Sequence, residues 1–139
     1  MEGFQEVLTF EVEITGHETV KGKNGEATMI LFEGNADCEN FHGKILPGGV
    51  DTQVEWPGQN RTLSARYILE GVDKEGQSCR IFVENNGIAL KEGEISTTPR
   101  IITDSEALSY LEQEELFGTI TPTEKGVTIH IFLRHSMLF

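Results

Sequence analysis

Apolar and polar residues alternate with a period of two through most of this chain, and this pattern constrains the fold more than any other feature. It recurs over residues 63–69 and 127–133. Successive side chains of a strand point to opposite faces, so each such run predicts a strand with one buried face. The first run alternates polar residues with four apolar ones: Leu8, Phe10, Val12 and Ile14.

Eight or nine predicted strands follow one another at spacings of about ten residues, with turn signals between them. One stretch, residues 104–115, has helical spacing, and Thr103 with Glu106 matches a capping box at its start. We therefore predict an all-β protein: a single antiparallel β-barrel of about eight to nine strands with one short helix, forming one domain over residues 1–139. A β-sandwich is the alternative, and we favour the barrel because closure removes exposed strand edges.

Two turn signals stand out within this pattern. The pair Asn24-Gly25 tolerates positive φ and predicts a hairpin with a type I′ turn. The sequence Pro47-Gly48-Gly49 predicts a turn between strands at residues 41–46 and 50–56, and it delivers the carboxylate of Asp51 onto the second of them. Gly93 and Pro99 interrupt the extended stretch 88–102, and the apolar tail 137–139 either docks on the body or contributes to a subunit contact.

The charge of the chain excludes several classes of partner. Its 11 Lys and Arg residues against 23 Asp and Glu residues give a formal net charge of −12. Such a surface repels phosphate backbones and anionic lipid, so we expect neither nucleic acid nor a membrane as partner. The two cysteines form no disulfide framework, and the acidic N-terminal stretch carries no signal-peptide core, so we predict a cytoplasmic protein.

Four blocks of the sequence, in this order and at this spacing, resemble one known family. The family is domain of unknown function family 3237, also called uncharacterised protein family 0311, a group of small bacterial proteins. The resemblance implies an antiparallel barrel similar to the allene oxide cyclase-type barrel, and it implies no assigned activity. Thr52 and Ile95 stand where the family usually has aromatic residues. The blocks are residues 43–53, 65–69, 81–87 and 97–100.

Polar residues inside those blocks are the candidate site. We expect Asp51 to act as a general base if burial raises its pKa, and Arg66 to hold a carboxylate or enolate oxygen with its planar fork. The reaction class would then be proton abstraction beside a carbonyl, or cyclisation. The candidate ligand-binding residues are Gln53, Tyr67, Asn85, Thr98 and Arg100.

Structural roles are the alternative for each of these residues. Asp51 and Arg66 form a buried ion pair in that case, and Asn85 caps a turn. Arg66 and Tyr67 are neighbours on a predicted strand, so they point to opposite faces unless a bulge intervenes. The polar face of residues 50–56 points either into a ligand cavity or towards solvent or a subunit contact.

Two functions follow from these alternatives. The first is a bacterial barrel that binds a small carbonyl- or carboxylate-containing molecule in its interior, with isomerase-like or cyclase-like chemistry. The second is a non-catalytic protein that acts through homo-oligomer or partner contacts. We expect no cofactor and no metal, because the four histidines show no ligand spacing and no nucleotide-binding motif is present.

Overall fold

Nine antiparallel strands and one short 3-10 turn build the fold in a computed structural model that describes residues 3–90 and 95–135. The 3-10 turn at Ser109–Glu112 lies between the seventh and eighth strands. The interruption at Gly93 and the tail at residues 137–139 lie outside the described residues. The break predicted at Pro99 was wrong, because Pro99 lies within the seventh strand, opposite Asn85. The strands are β1 Phe4–Gly22, β2 Gly25–Cys38, β3 Phe41–Ile45, β4 Val50–Glu55, β5 Arg61–Asp73, β6 Ser78–Ala89, β7 Ile95–Thr103, β8 Leu116–Pro122 and β9 Gly126–Arg134.

The strands close into an antiparallel barrel, which confirms the predicted fold class. Around the ring the strands follow the order β1, β9, β8, β7, β6 and β5. The next position is shared by β3 and β4, and it is followed by β2, which pairs with β1 and completes the ring. The join between β7 and β8 is the weakest, since a single pair, Thr97 opposite Gly118, connects them. Because the sheet closes on itself, one of its faces is enclosed, and the apolar residues of the alternating runs point to that inner face.

The predicted turn at residues 46–49 is a bulge, and the chain does not reverse there. Both β3 and β4 lie between β2 and β5, with Ile45 opposite Leu69 and Val50 opposite Arg66. Four residues therefore occupy the length of two on β5. A bulge of this kind bends the strand locally and re-aims the residues that follow it.

The hairpin predicted at Asn24-Gly25 forms, but its turn differs. Gly22 and Gly25 face each other as the last pair, so Lys23 and Asn24 make the connection. Among the described residues only glycines have positive φ, and Gly25 is not one of them, so the type I′ prediction was wrong. A Cβ on Gly25 would lie 3.1 Å from the ring of Trp56, so this glycine lets the ring pack closely against the hairpin.

The one short helix predicted in residues 104–115 forms only as a four-residue 3-10 turn, Ser109–Glu112, and not as an α-helix. Thr103 Oγ1 accepts from the backbone N–H of Ser105 over 3.1 Å, and no capping box with Glu106 is present. The two buried leucines of this segment, Leu108 and Leu111, join the barrel core. Three-residue spacing suits a 3-10 turn, whose side chains at i and i+3 lie above one another.

The core fills the barrel towards the end that this segment covers. Ser105 Oγ donates to Asp73 Oδ2 over 2.7 Å, so the segment is tied to the last residue of β5. Phe10, Phe41 and Leu69 are among the fully buried side chains. In the described part of the chain, no helix is long and apolar enough to cross a membrane.

Candidate functional site

A cavity of about 140 Å³ opens in the barrel interior at the end opposite the 3-10 turn. Ile14 lines it and is 45% exposed, so the cavity reaches the surface. An engineered cavity of about this size accommodates benzene, so the space fits one ring. Its walls are mostly apolar: Val12, Ile14, Ile30, Phe32, Leu63, Ala65, Ile95, Ile120, Val127 and Ile129, with Asp51, Gln53, Asn85 and Thr97 as the polar residues.

The sheet register brings the polar residues to two adjacent rows of the inner face. In the first row Asp51 lies opposite Ala65, which lies opposite Asn85. The small side chain of Ala65 leaves Asp51 and Asn85 on either side of open space. In the second row the order across the strands is Gln53, Leu63, Gly87, Thr97 and Gly118.

Four buried side-chain atoms among the described residues have no hydrogen-bond partner, and three of them belong to residues that line the cavity. An unsatisfied buried polar atom costs the fold about 1–3 kcal/mol, so native proteins contain few. Asn85 and Thr97 are 4% and 3% exposed, so bulk water does not satisfy them. The four atoms are Asp51 Oδ1, Tyr67 OH, Asn85 Oδ1 and Thr97 Oγ1.

Tyr67 lies deeper than the polar rows, and its ring is held by aromatic edges. Its centroid is 5.3 Å from that of Phe32 and 6.0 Å from that of Phe10, both in edge-to-face geometry. Gly49 of the bulge packs on the ring of Phe32, since a Cβ there would lie 3.1 Å from that ring and 3.2 Å from Tyr67 Cβ. Burial, and then the nearby charge of Asp51, raise the pKa of Tyr67, so its hydroxyl keeps its proton and remains a donor.

Asp51 is the ionisable group of the cavity. Burial raises the pKa of its carboxyl group, and this outweighs the lowering by Gln53, by the backbone of Ser64 and by the charge of Arg61. Gln53 Nε2 donates to Asp51 Oδ2 over 2.8 Å, which leaves Oδ1 without a partner. A carboxylate with a raised pKa is a better base at neutral pH than an ordinary aspartate.

Arg61 is a residue of this site that the sequence analysis did not select. Its Nε donates to Gln53 Oε1 over 2.8 Å, and its Nη2 donates to Thr28 Oγ1 over 3.1 Å. The signal was present, because Arg61 has the same parity as Leu63 and Tyr67 on β5. Extending that alternation by two residues places it on the inner face.

Three of the predicted site residues lie on the outer face of the barrel. Arg66 is 63% exposed and its Nε lies 3.2 Å from Glu84 Oε2, so it forms no ion pair with Asp51. Thr98 and Arg100 are exposed, while Thr97, one position earlier than Thr98, is buried and lines the cavity. The structure thus brings Asp51, Gln53, Tyr67 and Asn85 together on the inner face and leaves the other three outside.

The rim of the cavity is acidic in spite of Arg61. Arg61 Nη1 lies 2.9 Å from Glu26 Oε1 and 3.5 Å from Glu55 Oε1. With Asp51 this makes three carboxyl groups around one guanidinium group. An anionic ligand is therefore repelled at the rim, and a neutral one is not. Within the described residues, no group of three His, Cys, Asp or Glu side chains is arranged to hold a metal ion.

Comparison with known proteins places the chain among uncharacterised barrels. Residues 3–133 match the family described as "Protein of unknown function (DUF3237)". A UPF0311 protein of Clostridium acetobutylicum is 30% identical over 144 residues, which covers 94% of this chain and 82% of that protein. Family membership rests on these two matches.

Solved structures support the fold. A protein of unknown function from Clostridium acetobutylicum matches with a TM-score of 0.79 and 23% identity, covering 94% of this chain and 98% of that one. A Penicillium herquei protein described as an enzyme matches with a TM-score of 0.72 and 13% identity, covering 94% and 93%. At these identities the likeness concerns the fold alone.

Proposed function

The chain belongs to the DUF3237 family of proteins of unknown function, and we propose that its barrel binds a small, uncharged, ring-sized carbonyl compound and moves a proton on it. The observation that carries this proposal is a set of three unpartnered polar atoms on residues that line one apolar cavity, with a fourth, the hydroxyl of Tyr67, deeper in the barrel and within reach of the charge of Asp51. Groups held unpaired at a stability cost are typical of a site that a ligand completes.

The roles follow from the chemistry of each group. Tyr67 remains a hydroxyl donor and would bind the carbonyl oxygen of the ligand. Asp51 Oδ1 would take a proton from the carbon beside that carbonyl, so that the C–H electron pair forms a C=C bond and the π pair of the carbonyl moves to its oxygen. If the ligand carries a C=C bond next to that carbon, return of the same proton to the far carbon of this bond would shift the double bond and complete an isomerisation with no cofactor. Asn85 and Thr97 would orient the ring.

The rim favours a carbonyl over a carboxylate ligand. Three carboxyl groups, those of Glu26, Asp51 and Glu55, lie near one Arg61. The donors of Arg61 are engaged by neighbouring side chains, so it offers no open fork to an anion. The Penicillium herquei protein of similar fold is described as an enzyme, which is compatible with chemistry on this scaffold. The unpaired thiols of Cys38 and Cys79 suit the reducing cytosol, the compartment that we propose.

Binding and proton transfer are tested with one neutral probe, 2-cyclohexen-1-one. We expect a saturable rise in Tm with this compound and none with benzoate, which has a similar ring but carries a charge. In D2O, proton NMR should show exchange of its acidic C–H protons faster than in buffer. Asp51→Asn should slow that exchange at least 100-fold, since general base catalysis contributes about 10²–10⁴-fold.

Matched variants make this test decisive. Asp37→Asn removes a carboxylate whose side chain is 83% exposed on the outer surface, and it should leave exchange unchanged. Tyr67→Phe should weaken binding of the ketone and slow exchange, because the oxygen loses its donor. No Tm shift with the ketone and exchange at the buffer rate would overturn the proposal, as would equal loss in the Asp37→Asn variant.

A second candidate function, contact between two copies of the chain, is supported by an apolar surface outside the barrel. Val20 and Trp56 are 74% and 57% exposed, and Met29 and Leu31 present similarly large exposed side chains beside them. We call these four residues the outer apolar face. Large exposed patches of this kind mark protein contacts, and the face lies on the side of β2 opposite the cavity residue Ile30.

A further inference from the structure

A chain of two hydrogen bonds leads from the rim of the cavity to Asp51. Arg61 Nε donates to Gln53 Oε1, and Gln53 Nε2 donates to Asp51 Oδ2, each over 2.8 Å. A guanidinium group only donates, so its contact requires the amide oxygen of Gln53 to face Arg61. The amide nitrogen then faces Asp51, and the orientation of Gln53 is set by chemistry.

Arg61 is itself held in place by β2. Its Nη1 donates to Glu26 Oε1 over 2.9 Å and its Nη2 to Thr28 Oγ1 over 3.1 Å. The guanidinium group thus uses three of its nitrogens in three directions and connects β2, β4 and β5 at the rim. A lysine ammonium carries the same charge but lacks this planar fork.

We propose that Arg61 is a positioning residue, which acts through Gln53 to engage one carboxylate oxygen of Asp51 and leave the other free for a ligand. For its use in catalysis the inference rests on the proposed function, but the arrangement is a property of the free protein. When Asp51 is ionised, Oδ2 accepts from Gln53 and Oδ1 has no partner. When it is protonated, the donor Gln53 occupies Oδ2, so the proton lies on Oδ1, where a ligand would take it back.

Other ionisable groups lie around the same carboxylate, and their influence has to be separated from this effect. The charge of Asp51 acts on the hydroxyl of Tyr67 on β5, and Glu26 on β2 and Glu55 on β4 pair with Arg61. On β1, His17 lies in the same row as Asp51, beyond Ile30. A variant of Arg61 changes both charge and orientation, so single variants do not suffice.

The test is a carbon-13 NMR titration of the aspartate carboxyl groups of the ligand-free protein. The Asp51 signal is assigned from its loss in Asp51→Asn. We expect Arg61→Met to raise the titration midpoint of Asp51 by about one pH unit or more, since an opposite charge and a donor both act on the ionised form. Arg80→Met, which removes an arginine from an exposed pair with Glu70, is the matched control and should leave the midpoint unchanged.

Two further variants separate orientation from charge. In the Gln53→Leu background the Arg61→Met shift should be markedly smaller, because a residue that acts through another loses its effect when that residue is removed. In Arg61→Lys, which keeps the charge but lacks the planar fork, the titration midpoint of Asp51 should stay above that of the wild type. This variant also replaces Arg61→Met in the test if Arg61→Met does not fold. Equal shifts in both backgrounds, or full restoration by lysine, would mean that only the charge acts and would overturn the proposal.

The carbon-13 titration tests the positioning role, the proton-exchange experiment tests the proposed function, and either can give a negative result without the other. The titration needs no ligand, so absence of catalysed exchange with 2-cyclohexen-1-one leaves its outcome intact. Conversely, exchange that depends on Asp51 but not on Arg61 or Gln53 would support the proposed function and overturn the positioning role. A midpoint shift with Arg61→Met that is no larger than that with Arg80→Met would also overturn it.

Discussion

At the scale of single residues, the ionised form of Asp51 destabilises the fold that holds it. Its pKa is raised by burial, so the native state binds the proton more tightly than the unfolded state does. Stability from this group is therefore fully present below the unfolded pKa and falls as the pH rises to the folded pKa. Groups that oppose stability in this way are common at functional sites.

Replacement of this carboxylate by an amide should therefore stabilise the barrel at neutral pH. We expect Asp51→Asn to raise the free energy of unfolding at pH 7 by about 1 kcal/mol, the usual size of such gains. The gain should disappear at a pH below the unfolded pKa, where wild-type Asp51 is protonated in both states. Urea unfolding at both pH values measures it, with Asp37→Asn as the exposed control. A gain that grows on acidification would contradict the sign of this pKa shift.

Residue parity explains how much of the site the sequence could predict. Asp51, Gln53, Tyr67 and Asn85 were selected because they are polar residues in the blocks that resemble the family, and all four lie on the inner face. The exposed Thr98 was selected in place of its buried neighbour, a shift of one residue that reverses the face. The polarity of a residue does not predict whether its side chain points inward or outward. The alternation of its neighbours along the strand does predict this.

At the scale of elements, the alternation of apolar and polar residues predicted the strands well, whereas helical spacing overestimated the length of the helix. The last strand, β9, forms where the alternation over residues 127–133 predicts it. Residues 104–115 do not form an α-helix, because only Leu108 and Leu111 need burial at the end of the barrel. Two apolar anchors three residues apart are satisfied by a short turn, and sequence spacing does not reveal how little surface remains to cover.

The seam between β7 and β8 is the element contact most sensitive to a small change. It consists of the pair Thr97 and Gly118, and a Cβ on Gly118 would lie 2.2 Å from Thr97 Oγ1. We expect Gly118→Ala to lower the free energy of unfolding by about 1–3 kcal/mol, as overpacking does, because either the seam opens or Thr97 turns away. Urea unfolding measures the loss.

A second glycine gives the control for this experiment. A Cβ on Gly16, in β1, meets nothing within 4 Å, and its φ is not positive. Gly16→Ala should therefore change stability little. If Gly118→Ala is no more harmful than Gly16→Ala, then β7 and β8 separate without loss and the seam does not limit stability.

At the scale of the whole molecule, alternate residues of a strand serve two different surfaces of the barrel, the inner cavity and the outer wall. Inward residues form the cavity, and outward residues of β2 form part of the outer apolar face, so one strand serves both. The net charge of −12 opposes any association between copies. Salt screens such repulsion, with a Debye length of about 8 Å at physiological ionic strength, while it leaves apolar contacts intact.

Association through the outer apolar face should therefore strengthen with salt. We expect light scattering after size-exclusion chromatography to show twice the 15.5 kDa of the chain at high salt, with a larger monomer fraction at low salt. Met29→Glu adds a charge to the centre of the face and should leave a monomer at all salt concentrations. Ile102→Glu changes a residue on β7 that is equally apolar and 64% exposed but lies away from this face, so it should still dimerise. A monomer under all conditions, or equal disruption by Ile102→Glu, would remove the outer apolar face as a contact between copies and leave the cavity as the site of function.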